Sequence, residues 1–286
     1  MSELAIIIPH LNDASRLYRC LDALAPQVCR GVEVIIVDNG SAAPLDRLET
    51  DYPWALLAIE RRAGAGLARN LGVFLTDAPK LAFLDCDCVP GSDWVAVAMG
   101  VQVDGRVIGG RVETFHEGQG PRTGAQVFEQ VFAFDIARYV ARLGFCGSGN
   151  MVTSRAVFEA VGPFRANVSE DMEWCLRAGA AGVRVEYEPI LRASHPTRAD
   201  WAALRRKWRR LAAERFLTDA ESLPGRVRWL FRAVFTMASI MRDGPKVMFT
   251  NRISGLRDRV FCLGTLLRIR VLRAMWMSGQ ALTGRP

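Results

Sequence analysis

Leu81-Ala82-Phe83-Leu84-Asp85-Cys86-Asp87-Cys88 (LAFLDCDC) is an apolar run that ends in two aspartates one residue apart. Along an extended chain, residues i and i+2 point the same way, so Asp85 and Asp87 leave the end of a buried strand side by side. Two carboxylates so placed repel each other unless a positive charge lies between them. A divalent cation, held jointly by carboxylate and phosphate oxygens, is the commonest remedy.

Upstream, the same strand pattern recurs three times. Ala5–Pro9 is a short apolar strand, and Asn12 or Asp13 caps a helix with Leu17, Leu21, Leu24 and Val28 on its apolar face. Val32–Val37 (VEVIIV) is a second, fully apolar strand that ends in the turn signal Asp38-Asn39-Gly40-Ser41. Ala55–Ile59 supplies a third strand, Gly64–Asp77 a helix entered through glycines, and Leu81–Asp85 the fourth strand. Four alternations with short connections predict an α/β protein with a mostly parallel sheet covered by helices on both faces. Ligands of such sheets gather beyond the carboxyl ends of the strands. Asp38 and Asp85 both lie at such ends.

Beyond Trp94, which reads as a core residue, the pattern loosens. Val107–Val112 is a strand and Gln126–Leu143 a long helix rich in aromatics. A glycine-rich loop, Gly147-Ser148-Gly149-Asn150, precedes a helix near Arg155–Val161. Ser169-Glu170-Asp171 opens a stretch with Trp174, Leu176 and Ala178 at helical spacing, which puts two acids at a helix N-terminus. Val183–Tyr187 is a further strand, followed by His195-Pro196. From Trp201 onward, arginines alternate with Trp, Phe, Leu and Met at helical spacing, and Pro224-Gly225, Asp243-Gly244-Pro245 and Gly255 punctuate the segments. The expected organisation is a catalytic domain over 1–200 and a basic amphipathic helical region over 201–286.

Half of the 286 residues are apolar, which excludes a disordered chain. Seven scattered cysteines without a CxxC pair fit reduced thiols in a cytoplasmic setting and argue against both a disulfide framework and a zinc site. The opening MSELAIIIPHLNDAS has no basic stretch ahead of its apolar run and reads as the first strand, not as a signal peptide. No run of 18 apolar residues marks a spanning helix. Charge is unevenly spread: residues 201–286 carry 18 basic and 5 acidic side chains, a balance of +13, against 19 and 25, a balance of −6, in residues 1–200. Basic amphipathic helices suit an anionic membrane surface; helices packed on protein with solvated arginines are the alternative. Nucleic acid is not expected as a partner, because no reader motif accompanies the charge.

Each constellation has a plainer reading. Asp85 and Asp87 could form a strand-end turn, and DCDCV also fits the haloacid dehalogenase phosphatase pattern, although that motif belongs on a first strand and this one follows three others. Asp38 could simply start a turn. GAGLARN gives GxGxxR after the third strand, with Arg69 where a dinucleotide fingerprint needs its third glycine, so it is weak evidence for NAD. Glu170 and Asp171 could do no more than favour a helix N-terminus, worth up to roughly 1 kcal/mol.

Taken in order, AIIIPHLN, VEVIIVDNGS, GAGLARNLGV, FLDCDCVPGSDW, GSGNM and SEDMEWCLRAG resemble the blocks of family 2 of the inverting, GT-A-type glycosyltransferases. The resemblance covers residues 4 to about 200 and implies a Rossmann-like sheet that binds a UDP- or GDP-linked sugar with Mg or Mn. It implies that Pro9, Asn12, Asp38, Arg69 and Asp85 line the nucleotide, that Asp87 and His195 hold the metal, and that Gly149 and Asn150 shape the acceptor or sugar pocket. Asp171, with Glu170 beside it, would be the base that takes the acceptor's proton. The acceptor would be a glycan or a lipid-linked sugar, and the setting cell-envelope or exopolysaccharide synthesis on the inner face of the cytoplasmic membrane. Processive relatives carry QxxRW; here Leu204-Arg205-Arg206-Lys207-Trp208 lacks the glutamine, which favours addition of a single sugar, with Lys207 and the arginines left to neutralise the diphosphate. A nucleotide-binding scaffold that has lost turnover is the competing reading, and the two intact acid pairs count against it.

Overall fold

The structure is a computed structural model that describes residues 2–166, 168–220 and 222–286. In chain order the elements are β1 (Leu4–His10), α1 (Ala14–Leu24), β2 (Val32–Asp38), α2 (Leu48–Asp51), β3 (Ala55–Ile59), α3 (Ala65–Phe74), β4 (Lys80–Leu84), β5 (Val89–Pro90), α4 (Trp94–Gly100) and β6 (Arg106–Phe115). There follow α5 (Gly124–Phe132), α6 (Ile136–Leu143), β7 (Asn150–Ser154), α7 (Arg155–Val161), α8 (Glu170–Ala180), β8 (Arg184–Pro196), α9 (Trp201–Asp219), α10 (Leu223–Phe249) and α11 (Leu256–Thr283). The chain divides into two compact units. The first holds residues 1–113 and 134–195, the second residues 114–133 and 196–286. The second unit thus takes in α5 as well as the basic helices, a division that a single cut at residue 200 does not give.

The first unit is built on one mixed sheet with strand order β3-β2-β1-β4-β7-β6-β8-β5. β3, β2, β1 and β4 run parallel, and β7 pairs antiparallel with both β4 and β6. The chain leaves β1 towards β2 and β3, then returns to lay β4 on the other side of β1. Such a reversal opens a crevice at the carboxyl ends of the strands. Register fixes what faces it: His10 of β1 lies beside Asp38 of β2, and Asp85 follows the last residue of β4. Ile6, Ile8, Val34, Ile36 and Leu84 pack under Leu17, Leu21 and Leu24 of α1, while Ile7, Phe83 and Met151 meet Phe158 and Trp174 on the other face.

Three local expectations are corrected. The link from β2 to β3 forms only the four-residue α2, so the outer strand β3 leaves Leu56, Leu57 and Ile59 exposed instead of covered. The single helix expected over Gln126–Leu143 is two, because Ala133 is extended and Phe134 is left-handed at φ 55°. A left-handed non-glycine residue costs about 1–2 kcal/mol; here the Phe134 ring packs 4.7 Å from the His195 ring. Asp243-Gly244-Pro245 does not interrupt α10, which runs through it. Pro245 forfeits one helical hydrogen bond, while buried Asp243 ties the segment to Arg242, Lys246 and Arg270.

In the second unit, α5 opens with a capping box between Thr123 and Gln126. Val127, Phe128, Leu204, Val247, Cys262, Leu266 and Ile269 form its main core. Glu129 is buried there and receives Arg198 at 2.7 Å and Lys207 at 2.9 Å. Burial alone would raise its carboxyl, but Lys207 and Arg198 hold it below the usual range. Lys207 is therefore committed to Glu129, and the expectation that it neutralises a diphosphate is withdrawn. Among the described residues, no helix is long and apolar enough to cross a membrane.

Candidate active site

Two clusters stand at the carboxyl end of the sheet in the first unit. One is centred on Asp38. Its Oδ1 accepts the backbone N–H groups of Gly40 (2.9 Å) and Ser41 (2.8 Å), and its Oδ2 lies 2.9 Å from His10 Nδ1. His10 Nε2 accepts the N–H of Asp13 at 3.1 Å, so the ring proton resides on Nδ1 and is donated to Asp38. Burial pushes Asp38 up, but the bonds from Ser41, His10 and Gly40 prevail and hold its carboxyl below the usual range. The loop and His10 thus supply the Asp38 carboxylate with its hydrogen-bond donors.

Asn12 and Asn39 build the loops around it. Asn12, exposed and left-handed at φ 53°, receives the N–H of Ala42 on Oδ1 and donates its own N–H to Ser41 Oγ. Asn39 bridges to Glu60, Arg62 and Gly64. Pro9 is buried inside β1 opposite Val37 and presents no polar group. Of the residues expected at the nucleotide, Asp38 stands at the centre of this cluster, Asn12 lies in the adjoining loop and Pro9 is buried in the strand behind it. His10 was overlooked in the sequence, although its place as the last residue of β1, level with Asp38, is the signal that could have found it.

The second cluster is centred on Arg69. Its buried guanidinium donates to Asp85 Oδ1 at 2.6 Å and to Glu170 Oε1 at 3.0 Å. It thereby joins α3, the end of β4 and the start of α8. Arg69 Nε is buried with no acceptor among the described residues. Gly149 closes the cluster from the side: its carbonyl accepts the Asp85 N–H at 3.2 Å, and a Cβ at this position would fall 2.5 Å from Asp85 Oδ2. Only glycine allows that approach. A Cβ on Gly147 would lie 3.7 Å from Asp171 Oδ2, so the same loop passes both acids.

Asp171, at the start of α8, is strongly perturbed as well. Burial first, and the Glu170 charge second, push it up to about 6, against the pull of the Met172 N–H and Arg69. Burial and the neighbouring Asp87 likewise raise Asp85 in spite of Arg69. The cluster therefore carries more negative charge than its own guanidinium settles.

His195 Nε2 lies 3.1 Å from Asp87 Oδ2. Among the described residues no three His, Cys, Asp or Glu side chains converge as a metal cage. Two do, one oxygen and one nitrogen donor, beside an excess of carboxylate. That donor set fits a hard cation such as Mg or Mn, which keeps water or phosphate oxygens in the rest of its shell.

Asn150 departs from its expected place in a pocket. It is 1 % exposed and its amide is fully used: Oδ1 accepts the indole N–H of Trp94 at 2.8 Å, and Nδ2 donates to the carbonyls of Arg111 (3.0 Å) and Leu191 (2.9 Å). It reaches the second carbonyl by passing over Gly110, where a Cβ would fall 2.3 Å from Nδ2. Asn150 is a brace between β7, β6 and β8, and Trp94 is the core residue it was expected to be.

A sheet of this order, with a crevice at its reversal and clustered acids at the strand ends, is a GT-A-like fold, and the protein is a glycosyltransferase. The chain belongs to glycosyl transferase family 2, whose family model matches residues 5–162. It is 28% identical over 218 residues to the glycosyltransferase AglE of Haloferax volcanii, covering 72% of this chain and 70% of that one. It is 29% identical over 219 residues to the pre-mycofactocin glycosyltransferase of Mycobacterium tuberculosis, covering 70% of this chain but only 45% of that protein. Among solved structures it resembles the mannosyltransferase PcManGT from Pyrobaculum calidifontis, in complex with GDP-Man and Mn2+, with a TM-score of 0.61 at 15% identity over 99% of this chain and 88% of the other. At that identity the likeness speaks for the fold.

Proposed function

We propose that the protein transfers a single sugar, with inversion, from a UDP- or GDP-linked donor to the hydroxyl of a glycan or lipid-linked acceptor, in a reaction that depends on Mg or Mn. The observation that carries this reading is Asp171, a carboxyl raised to about 6 beside Glu170, in the same cluster as the Arg69–Asp85 pair. Inversion needs a base opposite the leaving group, and a base is most effective when its pKa lies near the working pH. Above pH 6 Asp171 is ionised and takes the proton of the acceptor hydroxyl, while Glu170 stays paired with Arg69.

Arg69 also holds Asp85 at the end of β4 and counters the repulsion among the acids. Asp38, kept ionised by Ser41, Gly40 and His10, accepts a donor group of the nucleotide. Asp87 and His195 would hold the cation, which when bound neutralises the diphosphate as it departs. That PcManGT is described with GDP-Man and Mn2+ supports the donor class and the metal for this chain. The basic helices of the second unit would bring the enzyme to an anionic membrane surface on the cytoplasmic side, where a lipid-linked acceptor resides.

A panel of nucleotide sugars with Mn tests the proposal. Release of nucleoside diphosphate from at least one donor is expected, and release from none removes the transferase mechanism. Asp87→Ala should abolish metal-dependent binding of UDP or GDP in calorimetry; unchanged binding would move the metal site elsewhere.

A further inference from the structure

The 27-residue helix α10 has two faces of unusual character for a helix at a protein surface. Its inward face repeats at positions Gly225, Trp229, Ala233, Asp243 and Val247, all buried. Facing outward are Val227 (49 % exposed), Phe231 (60 %), Val234 (63 %), Phe235 (70 %), Met241 (84 %) and Phe249 (84 %). At about 100° per residue these six fall within one arc, and Leu223, Leu230, Ala238, Pro245 and Met248 fill the positions between them. One charged residue, Arg242, lies inside the edge of that arc, and its guanidinium is drawn to Asp243 at 3.0 Å. Arg228, Arg232 and Lys246 lie beyond the same edge, so that Arg228–Arg232 and Arg242–Lys246 form two i,i+4 pairs along a single flank. The helix is about 40 Å long, and its exposed half is a continuous apolar strip with a basic margin.

A strip of this extent on a water-soluble surface marks a binding face. The margin says what covers it. A second copy docked antiparallel on the strip, about a twofold axis that crosses α10, would set the basic flank of one helix beside that of the other, a like-charge contact that costs affinity. An anionic bilayer offers hydrocarbon for the strip and phosphate headgroups for the margin at once. Asp243 and Asp219 offset part of the flank, yet residues 201–286 retain a balance of +13. No helix among the described residues is long and apolar enough to span a membrane, so the strip would lie along a bilayer surface and not cross it.

We propose that α10 lies in the plane of an anionic bilayer, with Val227, Phe231, Val234, Phe235, Met241 and Phe249 beneath the headgroups and Arg228, Arg232, Arg242 and Lys246 level with them. This deepens the proposed function, since it assigns the membrane contact to one helix face and makes a membrane-resident acceptor the natural substrate, but the contact itself does not require the chemistry to be right.

The full-length protein is sedimented with vesicles of phosphatidylcholine alone and of phosphatidylcholine mixed with phosphatidylglycerol. Binding to the mixed vesicles is expected, weakening as salt is raised. Phe231→Glu/Phe235→Glu, both at exposed positions, should lower the partition coefficient by about tenfold or more while leaving the melting temperature and donor hydrolysis in solution unchanged. Phe235→Trp should show fluorescence quenched by brominated lipids. Absence of binding by the native protein, equal binding by the double variant, or an unquenched Trp would each overturn the proposal. So would a stable dimer that the double variant dissolves without any vesicle binding. Donor hydrolysis, read separately, reports on the transferase mechanism whichever way the vesicle experiment falls.

Discussion

Asp38 and Asp171 both stand at the rim of the same sheet, and their surroundings drive them in opposite directions. Asp38 is held by the Ser41 side chain and backbone N–H, the His10 imidazole and the Gly40 N–H, which together outweigh its burial and keep it below the usual carboxylate range. Asp171 has one N–H, from Met172 at 2.7 Å, and the Glu170 charge beside it, and it rises to about 6. The first carboxylate is finished by its own loop and suits a fixed contact. The second is left short of donors, which costs stability and keeps it basic. A difference in surroundings, not in residue type, sets the two carboxyls on opposite sides of the usual range, which is what the proposed roles of holding group and base would require.

The largest test of this contrast is Asp171→Asn. Transfer should fall by about 10²–10⁴-fold, with the affinity for donor and metal nearly unchanged in calorimetry. An active variant would return Asp171 to the role of a helix N-terminal acid. In the native enzyme, the rate should rise about tenfold per pH unit up to pH 6 and level off above it, because only the ionised form accepts a proton. A flat profile through that range would assign the base to another group.

Stability should separate the two clusters next. Arg69→Met leaves Asp85 and Glu170 facing each other without a cation and should cost about 2–4 kcal/mol, read as a lower denaturation midpoint. Added Mn should restore part of it if the acids bind the metal.

The signs of the two aspartates then diverge. Asp171 has a folded pKa raised above 3.8, so the folded state binds the extra proton. Its contribution is fully present below pH 3.8 and is lost as pH rises through about 6, which makes Asp171→Asn more stable than the native protein at pH 7 by about 1–3 kcal/mol. Asp38 is lowered, so its contribution is present above the unfolded pKa and is lost as pH falls through the folded one. Asp38→Asn, which faces the His10 N–H with an amide, should therefore destabilise at neutral pH, by about 1 kcal/mol. Equal signs for the two variants would dissolve the comparison.

The residues also show where sequence reading succeeds. Apolar runs ending in Asp38 and Asp85 are local patterns, and local patterns survive into the fold with their aspartates at the strand ends. The pairing of Glu170 with Arg69 spans 101 positions, and no local pattern announces it. His10 was missed because its importance comes from register with Asp38, not from its neighbours in sequence. The break at Phe134 escaped because helical spacing continues on both sides of it, and a single left-handed residue leaves no trace in periodicity. Lys207 looked free for a phosphate because its partner, Glu129, lies on α5, 78 positions upstream.

The Asn150 brace has a consequence for how the sheet assembles. Its amide gives to two carbonyls and receives one indole N–H, so it accepts its neighbours in only one alignment. A one-residue slip of the β6 or β8 backbone would offer it an N–H where it needs an oxygen, and would turn the slipped strand's side chains to the wrong face. One buried side chain thereby proofreads the alignment of the strands and of the Trp94 helix, before any ligand arrives to reward the correct one.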